Sequence, residues 1–268
     1  MNETKILKLY KYMSISSRSL SIIESGKIYY PKPAKFNDPF DCGLSLCNDL
    51  TIDEKIQVLR AAMEKKQWPE EKITKEIMHS ITPQGTLNDV AEGNISKLTA
   101  DIHGKRDNMG VLSLSETCVS ILMWSHYADE HKGMCIEFAV PVNEKLFKVD
   151  YSTNVPRCTL HDIFVENDSE GVIALFTTKH ENWQYEGEYR VMWGNGGDDL
   201  YDIPGPITSI IFGLLTPPSD IALVRKVATG LGDIRFLKCK RGEGKFGVKI
   251  EDELSSPPQG VGDERCKI

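Results

Sequence analysis

The hydrophobic period of this chain switches from two to 3.6 residues and back, and that switch limits its fold more than any single motif. "KILKLYKY" at residues 5–12 alternates like a strand. "SSRSLSIIESGK" follows as a helix that Gly26 would close, and "KIYYPKP" is a second strand ended by its prolines. Residues 52–105 then carry only helical spacing: "TIDEKIQVLRAAMEKKQW", "PEEKITKEIMHSI" with Pro69 suited to a first turn, and a third helix over 86–103. Alternation returns in "MGVLSLSE", "MCIEFAV", "LFKVDY", "EYRVMW", "LYDI", "ITSIIFG" and "IRFLKCK". Helices are expected at "SILMWSHYADEHKG", closed by Gly133, in part of 158–182, and at "SDIALVRKVATGLG". No regular βαβ alternation occurs and no Gly-rich loop follows a strand. The pattern predicts an α+β fold with a mixed, largely antiparallel sheet, flanking helices and a helical insertion at about 52–105. Residues 1–254 are expected to form one domain, and the Gly- and Pro-rich tail 255–268 to be disordered.

Charge and cysteine usage narrow the function classes. The 32 basic and 39 acidic residues leave a net charge of −7, which disfavours broad nonspecific binding to nucleic acid. "MNETKILKLYKYM" has no apolar core of a secretory signal, and no apolar run approaches a membrane span. The seven cysteines are scattered, with no C-x-x-C pair, so reduced thiols in a cytoplasmic protein and no structural metal are expected.

Four stretches carry candidate chemistry. In "YEGEYR" a strand would place Glu186, Glu188 and Arg190 on one face, either solvated or turned into a pocket. Carboxylates two apart on a strand sit about 7 Å from each other, close enough to couple if water is excluded. In "MWSHYADEHKG" helical spacing groups Trp124, Tyr127 and His131, with His126 beside Asp129. That group would bind a ligand or position a base, unless Trp124 and Tyr127 are core aromatics and His131 caps the helix. "VLSLSE" places the hydroxyls of Ser113 and Ser115 on one face, without the G-x-S-x-G setting of a hydrolase nucleophile. "KFNDPFD" offers Asn37, Asp38 and Asp41, with turn chemistry the simpler reading than a divalent-ion loop.

Taken together, "LYKY", "IYYPKPAKFNDPFD", "VLSLSE", "MWSHYADEHKGMCIEF" and "WQYEGEYRVMW", in this order over about 7–215, resemble the bacterial domain-of-unknown-function family DUF2971. That family is often met near mobile elements and phage-defence genes, which implies an antiviral or toxin-like setting. A second resemblance is to ADP-ribosyltransferases. Lys11, or Tyr12, would take the first-strand position, Ser113 and Ser115 the middle one, and Glu186 and Glu188 the late Glu-x-Glu. Leu114 stands where that pattern has Thr, and Lys11 where it has Arg or His. The resemblance implies NAD as substrate. Glu188 would stabilise an oxocarbenium-like transition state, Glu186 would assist the nucleophile, Lys11 would meet the pyrophosphate, and Tyr12 or Tyr127 would stack on a ring. The expected site therefore has Glu188, Glu186, His126 and Tyr127 as catalytic groups. Lys11, Tyr12, Asn37, Asp38, Ser113, Ser115, Trp124 and Arg190 would bind a nucleotide-like small molecule, with a protein or nucleic-acid acceptor. Two other classes fit the same residues. One is a phosphodiester enzyme with Asp38, Asp41, Glu186 and Glu188 on Mg²⁺ and His126 assisting. The other is a non-enzymatic sensor of a ligand or phage protein, built on the aromatic helix.

Overall fold

The computed structural model describes residues 4–43, 46–47, 49–194 and 196–252. The tail 255–268 lies outside the described residues. The chain opens with β1 (Ile6–Met13), α1 (Ser17–Ser25) and β2 (Lys27–Tyr30). Ser16 caps α1 with its side chain, and Gly26 ends it in the left-handed region at φ 64°. After β3 (Leu46–Cys47) come the three insertion helices α2 (Ile52–Lys65), α3 (Glu70–Ser80) and α4 (Asp89–Asp107). Thr51 and Glu54 close a capping box on α2, and Asn88 caps α4, three residues later than the expected start.

The second half runs β4 (Gly110–Ser115), α5 (Ile121–Tyr127), β5 (Met134–Pro141), β6 (Leu146–Lys148), β7 (Asp150–Ser152), β8 (Cys158–Thr159), α6 (Leu160–Phe164), α7 (Ser169–Thr177) and β9 (Thr178–His180). It ends with β10 (Glu188–Trp193), β11 (Asp199–Asp202), β12 (Ile207–Phe212), α8 (Pro218–Val227), β13 (Arg235–Arg241) and β14 (Val248–Asp252). Eight strands form one sheet in the order β14-β13-β12-β5-β1-β4-β10-β6. Its neighbours pair antiparallel except β12 with β13, so the expected mixed, largely antiparallel α+β fold is what the chain adopts. No helix among the described residues is long and apolar enough to cross a membrane.

Alternation sorts the sheet's two faces. Leu9, Leu112, Leu114, Ile136, Phe138 and Ile210 pack one face against Ile22 and Ile23 of α1 and Val224 of α8. The opposite face carries two separate apolar clusters. Tyr12, Ile211 and Cys239 meet Met123 and Trp124 of α5. Val58, Leu59 and Ile95 of the insertion meet Leu160, Leu175 and Phe176. The insertion is therefore half of a core and not an appendage.

One seam of the sheet is open. β1 pairs with β5 along its whole length, from Ile6↔Pro141 to Met13↔Met134, but with β4 only at Tyr10↔Ser115. Beyond that point the Lys11 ammonium donates to the Ser113 carbonyl at 2.8 Å, in place of a backbone partner.

Three local expectations change. The helix at 120–133 ends at Tyr127, and Asp129, Glu130 and His131 follow at φ 46°, 51° and 70°. The helix cannot run on, because Met134 must already pair with Met13. The chain turns so tightly there that a Cβ on Gly133 would lie 2.3 Å from the Met13 carbonyl oxygen. "LFKVDY" is two strands: β6 pairs with β10, whereas β7 pairs parallel with β9. Residues 181–186 form a 3₁₀ helix, so "YEGEYR" is a strand only from Glu188 onward.

Candidate functional site

Gly187 decides how the acidic residues meet. It leaves the 3₁₀ helix at φ 50°, and a Cβ there would sit 2.8 Å from Glu116 Cγ. The kink brings Glu186 and Glu188 to one ammonium by a route unlike strand alternation. Lys179 Nζ on β9 lies 2.5 Å from Glu186 Oε2, 3.2 Å from Glu188 Oε2 and 3.4 Å from Asp41 Oδ2. All four side chains are buried. Ser115 Oγ fixes the end of the 3₁₀ helix by donating to the Glu186 carbonyl at 2.6 Å.

Arg190 locks the inner side. Its guanidinium is 0% exposed. Nε donates to Glu188 Oε1 at 2.8 Å, and Nη2 to both Asp41 oxygens at 2.8 and 2.7 Å. Nη1 donates to the Phe176 carbonyl at 2.6 Å, and the Phe36 ring lies 5.7 Å from the guanidinium carbon. Burial alone would push the Glu188 carboxyl up. Arg190 and Lys179 outweigh it and hold the carboxyl at about 2. Burial likewise opposes charge on Lys179, but Glu188, Glu186 and Asp41 raise its pKa above the usual lysine range. At neutral pH Glu188 is therefore ionised and Lys179 protonated.

A cavity of about 270 Å³ opens beside this cluster at the β1–β4 seam. Lys11, Tyr12, Tyr127, Lys179, Glu186 and Glu188 are among its walls. Tyr127 donates to Glu186 Oε1 at 2.6 Å, and Asn37 Nδ2 reaches the Tyr127 hydroxyl at 3.4 Å. Burial and then the Glu186 contact push the Tyr127 phenol up, so it stays a donor. Burial pulls the Lys11 ammonium down, while Glu188 and Glu186 oppose that shift. The pocket thus holds an ionised carboxylate, an ammonium without a direct carboxylate contact among the described residues, and a phenol donor.

The structure gathers most of the sequence candidates and separates a few. Lys11, Tyr12, Asn37, Ser113, Ser115, Tyr127, Glu186 and Glu188 line this cavity, and Arg190 braces it from behind. His126 does not join them. It is exposed on the outer face of α5, with Nδ1 3.2 Å from the Tyr185 hydroxyl. Trp124 is core: it is fully buried and donates to the Cys118 carbonyl at 2.8 Å. Asp38 accepts from Phe40 N at 2.9 Å, as an Asx-turn does, and lines a different cavity. The Mg²⁺ alternative meets an obstacle in the donor set, since Asp41, Glu186 and Glu188 converge on a lysine ammonium. Among the described residues no group of three or more His, Cys, Asp or Glu is arranged to hold a metal ion. The central Lys179 was missed, as was Tyr151, whose hydroxyl accepts from Glu188 N at 2.8 Å. A lysine in a three-residue strand leaves no periodic trace.

Comparison with curated proteins and with solved structures gives no match. Residues 123–191 match the model of a family described as "Protein of unknown function (DUF2971)". That stretch runs from α5 through Tyr127, Lys179, Glu186, Glu188 and Arg190, and over it the chain is similar to the DUF2971 family.

Proposed function

We propose that the seam pocket binds the nicotinamide–ribosyl end of NAD and promotes cleavage of its glycosidic bond, an ADP-ribosyltransferase-like reaction. The observation that carries this reading is Glu186. One of its oxygens meets Tyr127, the other meets Lys179, and Arg190 does not touch it among the described residues. Glu188, by contrast, is held by Arg190 and Lys179 together. We therefore assign the reacting carboxylate to Glu186 and the bracing one to Glu188.

The chemistry follows the charge. In NAD the positive charge sits on the nicotinamide ring. As the C1′–N bond breaks, its electron pair leaves with nicotinamide, which departs neutral, and positive charge moves to the ribosyl group. A preformed carboxylate in a water-poor pocket stabilises that charge more than the starting state. An incoming hydroxyl, from water or from a protein or nucleic-acid acceptor, bonds to C1′ and passes its proton to Glu186. Lys11 meets the phosphate side as a point charge. At about 270 Å³ the pocket suits this end of the molecule and leaves the rest of the dinucleotide outside.

Nicotinamide release from NAD, followed by chromatography, tests the reading. Glu186→Gln is expected to lower the rate by about 10²–10³, the scale of one electrostatic catalytic group. Its melting temperature should stay near that of the parent. No calorimetric binding of NAD and no nicotinamide release by the parent protein would overturn the proposal.

A further inference from the structure

Lys179 and Asp41 also form the floor of a second and larger cavity, of about 470 Å³, on another side of the ion cluster. Its remaining walls differ in kind from those of the seam pocket. Phe40 stands at its rim, 85% exposed. Trp183 is another wall, and its ring is held by the Lys179 ammonium at 4.9 Å and by Tyr185 at 6.0 Å between centroids. Two rings, one fixed and one unsupported by the core, therefore border a single hollow.

Most polar groups of this cavity are neutral and unspent. Among the described residues, the side chains of Thr153, Asn154, Thr178 and Asn182 make no hydrogen bond within the protein, and all four line the cavity. The charged groups at its floor are already answered. Lys179 has three carboxylates, and Asp41 has Arg190 at 2.7 Å. Asp38, the other carboxylate of the walls, accepts from Phe40 N at 2.9 Å, and an anionic ligand would find no free lysine or arginine among the described walls. A planar ring bearing its own neutral donors and acceptors would find stacking surfaces and two carboxamides.

We propose that this cavity binds an uncharged heteroaromatic ring of the nucleobase kind, stacked on Trp183 and Phe40 and hydrogen-bonded by Asn154 and Asn182. The assignment rests on these residues alone and stands apart from the NAD reading of the seam pocket. A free nucleoside and a base of a single strand both present such a ring, and the test separates the two.

Isothermal titration of the full-length protein with adenosine, guanosine and cytidine, and with a short single-stranded oligonucleotide, measures binding directly. Toluene serves as a ring without polar groups. At least one nucleoside should bind, and toluene should bind more weakly. Phe40→Ala and Asn182→Ala, both at exposed positions that the core does not need, should each raise Kd about tenfold. Tighter binding of the oligonucleotide, lost in the same two variants, would support the site with a strand as the source. The proposal is overturned if no nucleoside or oligonucleotide binds at millimolar concentration. It is also overturned if the two variants bind like the parent, or if toluene binds as well as the nucleosides.

Discussion

Glu137 and Glu188 stand three strands apart on one cross-strand row, and the protein satisfies them in opposite ways. The register runs Arg235, Ser209, Glu137, Tyr10, Ser115, Glu188 across β13, β12, β5, β1, β4 and β10. Both glutamates are about equally buried, at 3% exposure. Glu137 is served by neutral hydroxyls, Tyr10 at 2.9 Å and Thr208 at 2.5 Å, while its cationic neighbours Lys8 and Arg235 are solvent-exposed. Glu188 is served by buried cations. Burial of a carboxylate therefore does not by itself mark a site. What distinguishes Glu188 is that its partners are desolvated as well, and that two cavities share the cluster's walls.

The sharpest way to break the contrast is to remove the inner cation. Arg190→Met roughly keeps the volume but leaves Asp41 and Glu188 to share Lys179. Stranding a buried charge costs about 3–5 kcal/mol, a large part of the stability of an ordinary domain. The urea unfolding midpoint at pH 7 should fall accordingly. A loss under about 1 kcal/mol would show that water reaches the cluster and that Glu188 is no different from Glu137.

Much of this was legible in the sequence, but unevenly. Alternation in "KILKLYKY", "VLSLSE", "MCIEFAV" and "EYRVMW" located the central strands, because strands with opposed faces must alternate. The convergence of Glu186 and Glu188 was also foreseen, though for the wrong reason. They meet through a left-handed Gly187 and not through a shared strand face. Lys179 was invisible because its three-residue strand takes its place from pairing with Asp150–Ser152, a contact between segments 28 residues apart. His126 and Trp124 both lie inside α5, and helical spacing does not say which face meets the sheet: Trp124 turns to Tyr12 in the core and His126 to solvent. Past Tyr127 the pairing of Met134 with Met13 overrides local propensity.

Acid titration sharpens the comparison at intermediate scale. Glu188 is depressed to about 2 in the folded protein, so its contribution is complete above the pKa of an unfolded glutamate. It is lost as pH falls through about 2. The gap from an unfolded value near about 4.3 corresponds to about 3 kcal/mol. Glu137 is lowered in the same direction, against burial, by Thr208, Tyr10 and Lys8. Unfolding free energies measured by urea between pH 5 and pH 2 should therefore fall steeply in the parent. In Glu188→Gln the slope should flatten, and Glu137→Gln should keep most of it. Equal slopes in the two variants would erase the distinction.

The smallest effect belongs to Glu137→Gln at neutral pH. The amide keeps the shape and both hydroxyl contacts, since Tyr10 and Thr208 can each rotate a hydroxyl to donate to its oxygen or accept from its nitrogen. What disappears is attraction to Lys8 and Arg235, whose side chains are 61% and 58% exposed, and pairs of that kind contribute little in water. The expected cost is about 1 kcal/mol. Because Tyr10 also lines the seam pocket while its hydroxyl turns to Glu137, nicotinamide release should change less than twofold if the two glutamates act separately. A larger drop in rate at unchanged stability would mean that Tyr10 transmits the state of Glu137 into the pocket, and that the polar row works as one unit.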